Sequence, residues 1–250
     1  MKKYPRIYSL STIGLRQHQE FDYKFHPFRT DFVGDSGCGK SMIADLLQLM
    51  FVGSEFFVSP SPSTKPRLPT GMVLPINNNF GAGIGFAVLN VEIAPSSYLG
   101  VGICIEQGNN STSHFIIQQG YDEDAPLPFS KVLTVADLIK DDKLPNREDF
   151  IANVTEQGLV YKPLQRRKYH QWLYAQHILP VDLSESERIL KDYAHIIQSF
   201  SRGHSLLKIS ESDSLKEFLF GTEKAKEMLA KYHKAVDELQ NTTIQYGRNK

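Results

Sequence analysis

Hydrophobic and polar positions change period several times along the chain, and each change marks an element. Arg6 to Leu15 (RIYSLSTIGL) is rich in β-branched and aromatic residues and predicts a strand. After a polar stretch from Arg16 to Gln19, Phe21, Tyr23 and Phe25 alternate with Asp22 and Lys24, a second strand that would close a hairpin. Phe32-Val33 reads as a short apolar strand end. Beyond it, Ser41 to Phe51 places Ile43, Leu46, Leu47 and Met50 at helical spacing.

Ser59 to Pro75, rich in Pro, Ser and Thr, predicts a long surface loop, and Asn77 to Gly85 a second turn-rich passage. Three strand-like runs follow, Gly85 to Ile93, Tyr98 to Glu106 and His114 to Gln119, separated by turn residues. They predict an antiparallel meander. From about Ser130 helices take over, at Val135 to Ile139, Glu148 to Thr155 and Glu185 to Phe200, the last carrying Ile189, Tyr193, Ile196, Ile197 and Phe200 on one stripe. Ala225, Leu229, Tyr232, Val236 and Leu239 then step by four, three, four and three, a heptad seam widened by Met228 and Ala235. It reads as the start of a coiled coil that continues past Lys250; the plainer reading is a single amphipathic helix packed on the core.

Composition narrows the class. At 250 residues with 41% hydrophobic and 22% charged, the chain suits one large domain with an appendage and is long enough to bury a core. Lys plus Arg and Asp plus Glu balance at 28 each, so any nucleic-acid contact would have to come from a local patch. Two cysteines, Cys38 and Cys104, make no disulfide framework and fit a reducing compartment. The N-terminus lacks the apolar run of a signal peptide. Ile43 to Val52 is too short to span a bilayer and is interrupted by Asp45 and Gln48, so the expected location is the cytoplasm, with no membrane partner.

The strongest chemical signal is Gly34-Asp35-Ser36-Gly37-Cys38-Gly39-Lys40-Ser41, which fits G-x-x-x-x-G-K-[ST] at every fixed position. Glycines let successive backbone N–H groups curl around a phosphate chain, and the following helix adds a favourable dipole. Lys40 would neutralise the β- and γ-phosphates of ATP, and the Ser41 hydroxyl would ligate Mg²⁺. Cys38 contributes backbone only. The plainer reading is a glycine turn before an ordinary helix.

A complete ATPase should also carry an apolar strand ending in Asp-Glu. Asp182 follows Ile178-Leu179-Pro180-Val181, but Pro180 disqualifies a central strand. No LSGG-type signature and no guanine-selecting NKxD is present.

The order of hairpin, phosphate loop, helix, antiparallel meander, helices and incipient heptad helix resembles the N-terminal half-head of the SMC-like ATPases, which include chromosome-maintenance proteins and coiled-coil ATPases of DNA repair. In that family the Asp-Glu strand and the signature motif lie beyond a long antiparallel coiled coil. The resemblance implies an α/β P-loop NTPase of ABC type with an antiparallel β-subdomain over 1–221 and a coiled-coil start over 222–250. IGLRQH (13–18) is similar to the family's strand-end motif, which assigns a nucleotide contact to Arg16. GDSGCGKS resembles G-x-N-G-x-G-K-S, with Ser36 where Asn is usual. The family's helix after the loop carries an Asp near the position of Asp45. Ile196-Ile197-Gln198 is similar to the Q-loop, which would make Gln198 a contact to Mg²⁺ and the attacking water; Gln118 or Gln119 is the rival, and a solvated helix face the plainer reading. The implied cofactors are ATP and Mg²⁺. The implied partners are the C-terminal half-head, a second head joined on ATP, double-stranded DNA, and accessory subunits or a nuclease. The large loops and the insert from Ser130 to Ser184 suggest a divergent branch, such as anti-phage or anti-plasmid members.

Other signals are weaker. Gln165 to Trp172 (QRRKYHQW) mixes cations and aromatics and reads either as a DNA-backbone contact or as a helix that buries Tyr169, Trp172 and Leu173. Asp122-Glu123-Asp124 is a small acidic loop, and the eight His residues have no ligand spacing. Two other functions stay open: a self-contained phosphotransferase with Arg166, Arg167 and Arg202 as a lid, and a non-catalytic interaction module.

Overall fold

The β-branched segment Arg6–Leu15 (β1) and the alternating segment His18–Lys24 (β2) form an antiparallel hairpin around a two-residue turn, Arg16-Gln17. Gln17 takes the left-handed conformation, at φ 56°, that such a tight reversal needs. The computed structural model describes residues 4–57, 67–76 and 82–202. The meander follows as β3 (Ile84–Ala94), β4 (Ser97–Glu106) and β5 (Thr112–Gln118), and β6 (Val160–Leu164) adds an edge. The strands make one sheet in the order β2-β1-β3-β4-β5-β6, every neighbouring pair antiparallel.

Helices cover both faces. Adjacent residues of a strand point to opposite sides, and β5 shows where each helix lies. Phe115 meets Phe150 on α3 (Arg147–Glu156), with ring centroids 5.7 Å apart. His114 on the other face meets Tyr169 on α4 (Arg166–Ala175) at 4.6 Å, and its Nε2 bonds the Leu49 carbonyl of α1 (Lys40–Val52). The short α2 (Val135–Leu138) shares the α3 side. The core on that side runs from Ile13, Phe86 and Val88 through Phe115 and Ile117 to Leu138, Phe150 and Val154. Such packing needs close backbone approach: a Cβ at Gly102 on β4 would stand 2.4 Å from the Phe115 ring and 2.6 Å from the Ala87 carbonyl oxygen.

The chain divides into two compact units, residues 1–190 and 191–250. The helix expected over Glu185 to Phe200 is α5 (Glu187–Arg202), which spans that division. The heptad seam and the expected boundary at 221/222 lie outside the described residues.

Several expectations need correction. Phe32-Val33 is not a strand end: it pairs with no described strand in a ladder, and Val33 is 92% exposed. The chain therefore enters the phosphate loop from an irregular segment, and the described sheet holds no parallel pair. The buried stripe of α1 is wider than the apolar spacing suggests, because Asp45 and Gln48 are buried and Leu47 only half so. The segment expected to be a surface loop ends in a 3₁₀ turn, Pro69–Met72, that inserts Pro69, Met72 and Val73 into the core and bridges Val73 to Leu15. β6 is absent from the expected strands, and Pro163 lies within it. An edge strand tolerates this, since only one side of it must donate to the sheet.

Candidate functional site

The phosphate-loop sequence forms an exposed turn from Gly34 to Cys38 that feeds directly into α1. Gly37 (φ 86°) and Gly39 (φ 94°) both take left-handed conformations. At Gly39 no other residue would fit, because an added Cβ would lie 2.4 Å from His18 Nε2. Gly39 is the N-cap of α1 and offers no side chain to its first turn, and that turn contains no acidic residue. The helix therefore presents uncapped N–H donors and the positive end of its dipole at the loop. Ser41 stands exposed in that first turn.

Lys40 folds back over the loop. Its Nζ donates to the carbonyl oxygens of Gly34 (2.6 Å) and Asp35 (2.7 Å) and approaches Cys38 Sγ at 3.5 Å. The ammonium, the glycine backbone and the helix terminus thus converge on one exposed spot, a donor set suited to a polyphosphate. The hydroxyl of Ser41, a hard oxygen ligand, suits Mg²⁺.

Residues with no signal in the sequence pattern support this spot from beneath. His18, 3% exposed, bridges Tyr23 Oη (2.5 Å from Nδ1) and the Gly39 carbonyl oxygen (2.9 Å from Nε2). Burial holds its pKa below the ordinary imidazole value; the Gly39 bond opposes this and nearby Arg67 reinforces it. Arg67 pairs at 2.8 Å with Asp45, whose carboxylate is fully buried on α1. Tyr23 also meets Phe32 edge to face at 5.8 Å, which ties the entry segment to β2.

The other expected residues fall elsewhere. Arg16 sits beside His18 in the hairpin turn, and its Nε donates to the Val73 carbonyl oxygen at 3.2 Å. Gln198 lies on α5 in the second unit and is buried. The rival Gln118 donates its amide to the Gly120 and Asp122 carbonyls (3.2 and 2.6 Å), holding the turn after β5. The mixed segment around Arg166 is α4, with Tyr169, Trp172 and Leu173 buried, Arg166 paired with Glu55 and Lys168 near Glu123. Glu123 of the acidic loop also pairs with Lys162 at 2.8 Å. A cavity of about 290 Å³ opens between that loop and α4. Among the described residues no helix is long and apolar enough to cross a membrane. No protein-family model matches the chain, and no curated protein matches it.

Proposed function

We propose that this chain is the nucleotide-binding half of an SMC-like ATPase head, taking ATP and Mg²⁺ at Gly34–Ser41. One observation carries the reading: two left-handed glycines, a folded-back Lys40 and an uncapped α1 terminus without acidic residues meet at one exposed turn. On binding, the phosphates replace the Gly34 and Asp35 carbonyls as partners of the Lys40 ammonium, and the first-turn amides bond the phosphate oxygens. The Ser41 hydroxyl would hold Mg²⁺, which would supply neutralisation of the phosphate charge.

The chain has no apolar strand ending in Asp-Glu to activate water. The C-terminal half-head supplies that group, and a second head supplies the signature that closes over ATP. The exposed Phe28 and Val33 on the entry segment support such a docking layer. Motion of the joined heads is then coupled to double-stranded DNA and to accessory subunits or a nuclease, in genome maintenance or in defence against foreign DNA. The phosphotransferase alternative is less well supported, because Arg166 is committed to Glu55.

Titration calorimetry with Mg-ATP tests the reading. The chain should bind, and Lys40→Ala should weaken binding at least about tenfold, the loss of one charge-assisted contact. The melting temperature should be retained, since the Lys40 bonds lie in an exposed loop. Turnover by the chain alone should fall well below about 1 per second, the lower end of ordinary enzyme rates. Absence of binding, or equal binding by Lys40→Ala, refutes the proposal.

A further inference from the structure

We propose that His18, steadied by a hydrogen bond to Tyr23, is the positioning residue of the phosphate loop and aims the Lys40 amide at the bound polyphosphate. This rests on the nucleotide site proposed above and adds to it a pair of residues from the hairpin.

The argument begins with the Gly39 carbonyl. Besides the first bond along α1, it accepts from Met42 N–H (2.8 Å) and from His18 Nε2 (2.9 Å). A carbonyl oxygen can only accept, so Nε2 must carry the proton. In a neutral ring Nδ1 is then an acceptor, and Tyr23 Oη at 2.5 Å is the donor that satisfies it. The Gly39 carbonyl thereby fixes the tautomer, and the Tyr23 hydroxyl, able to donate or accept, satisfies the nitrogen left over. Burial lowers the ring's pKa and so favours its neutral form.

Planarity carries the effect onward. In a trans peptide the C=O of one residue and the N–H of the next point in opposite directions. With the Gly39 oxygen drawn towards His18, the Lys40 N–H must point away from the hairpin, towards the exposed face of the loop. The left-handed φ of Gly39 and the 2.4 Å approach that any Cβ would make to Nε2 show that ring and glycine fit only together. Without His18 the oxygen would keep only bonds along the helix axis, with none to hold it towards the hairpin. The groups around the ring are Gln17, Phe21, Tyr23, Gly39 and Arg67, none of which offers a second donor to that oxygen.

Three variants of the full chain separate positioning from bulk. His18→Phe preserves an aromatic ring in the buried slot but cannot donate. His18→Gln can still offer an amide N–H to Gly39. Tyr23→Phe retains packing and loses the hydrogen bond that steadies the ring at Nδ1. Measured by Mg-ATP titration, His18→Phe should weaken binding at least about tenfold, His18→Gln should return to within about threefold of the parent, and Tyr23→Phe should lose about threefold. A ¹⁵N spectrum of the imidazole in the unliganded parent should show the Nε2–H tautomer. Binding by His18→Phe equal to the parent, His18→Gln no better than His18→Phe, or an Nδ1–H tautomer overturns the inference. Should the parent chain bind no nucleotide, the proposed function fails, and the tautomer still decides the role of His18. The same spectrum decides it if His18→Phe does not fold.

Discussion

The meander β3–β5 and the phosphate-loop corner belong to the same compact unit, yet they answer their polar groups in opposite ways. In the meander, the amide of Asn90 has its demands met internally. Buried Asn90 donates to Ser9 Oγ and to the Leu133 carbonyl and accepts from Leu133 N–H, which pins the chain before α2 to the sheet. The N-terminus of α3 is likewise closed, by a capping box between Asn146 and Asp149. At the loop, α1 begins with a glycine, no acid and no side-chain cap, and Gly34 to Cys38 stand in solvent. α4 likewise begins without a side-chain cap or an acid, so what sets the α1 terminus apart is the glycine turn and the folded-back Lys40 in front of it. Its support is internal: His18, Tyr23, Asp45 and Arg67 are arranged behind the loop and leave its outer face clear.

If the meander is the rigid half of this pair, damage there should cost most. Phe150, fully buried, stacks on Phe86 at 4.0 Å and meets Phe115 and Tyr161. Phe150→Ala should lose about 3–5 kcal/mol in chemical denaturation. Phe28→Ala, at an 82% exposed ring on the entry to the loop, should lose less than about 0.5 kcal/mol. Similar losses for the two would erase the distinction.

The next largest effect is set by pH. His114 and His170, between the sheet and α1 and α4, are held down to about 4, mainly by burial. The unfolded chain takes up these protons near pH 6.5, whereas the folded one resists until about pH 4. Between those limits the unfolded state binds more protons, so stability falls as the solution is acidified. His170→Gln removes one such group. Its stability relative to the parent should improve by about 2 kcal/mol between pH 7 and pH 5. Parallel pH profiles of the two in urea unfolding would contradict the burial account.

The smallest effect concerns reactivity and leaves stability unchanged. Cys38 is exposed in the loop, whereas Cys104 is buried and its thiol is pushed up to about 12. N-ethylmaleimide should modify Cys38 alone in the folded chain, and Mg-ATP should slow that modification. Equal labelling of both thiols, or no protection by nucleotide, would show that the loop is not the open, ligand-facing region described here.

Much of the fold could be read from local pattern because strands and turns are short-range features. The hairpin, the three meander strands and the helices α2, α3 and α5 stand close to where period and turn residues put them. The burial of Tyr169, Trp172 and Leu173 also follows from spacing. What failed depended on neighbours distant in sequence. Phe32-Val33 has strand composition but no partner strand, and Met72 and Val73 hide within a Pro-rich segment because Leu15 offers them an edge. β6, which contains Pro163, exists because β5 offers it an edge to pair with. At the site, Gly34 to Ser41 was legible as a motif. His18, Tyr23 and Arg67 were not, because each reaches the loop or α1 from another part of the chain.

The sequence alone determined the loop's chemistry: glycines where left-handed backbone is required, a lysine and a hydroxyl at fixed distance, and an apolar-periodic helix to follow. These are covenants between residues a few positions apart, so their order suffices to state them. Only the tertiary structure decided which groups hold that loop in shape. A two-residue hairpin turn brings His18 to a carbonyl 21 residues away, and burial then fixes its charge state. Both depend on distance and solvent exclusion, which a linear string does not record.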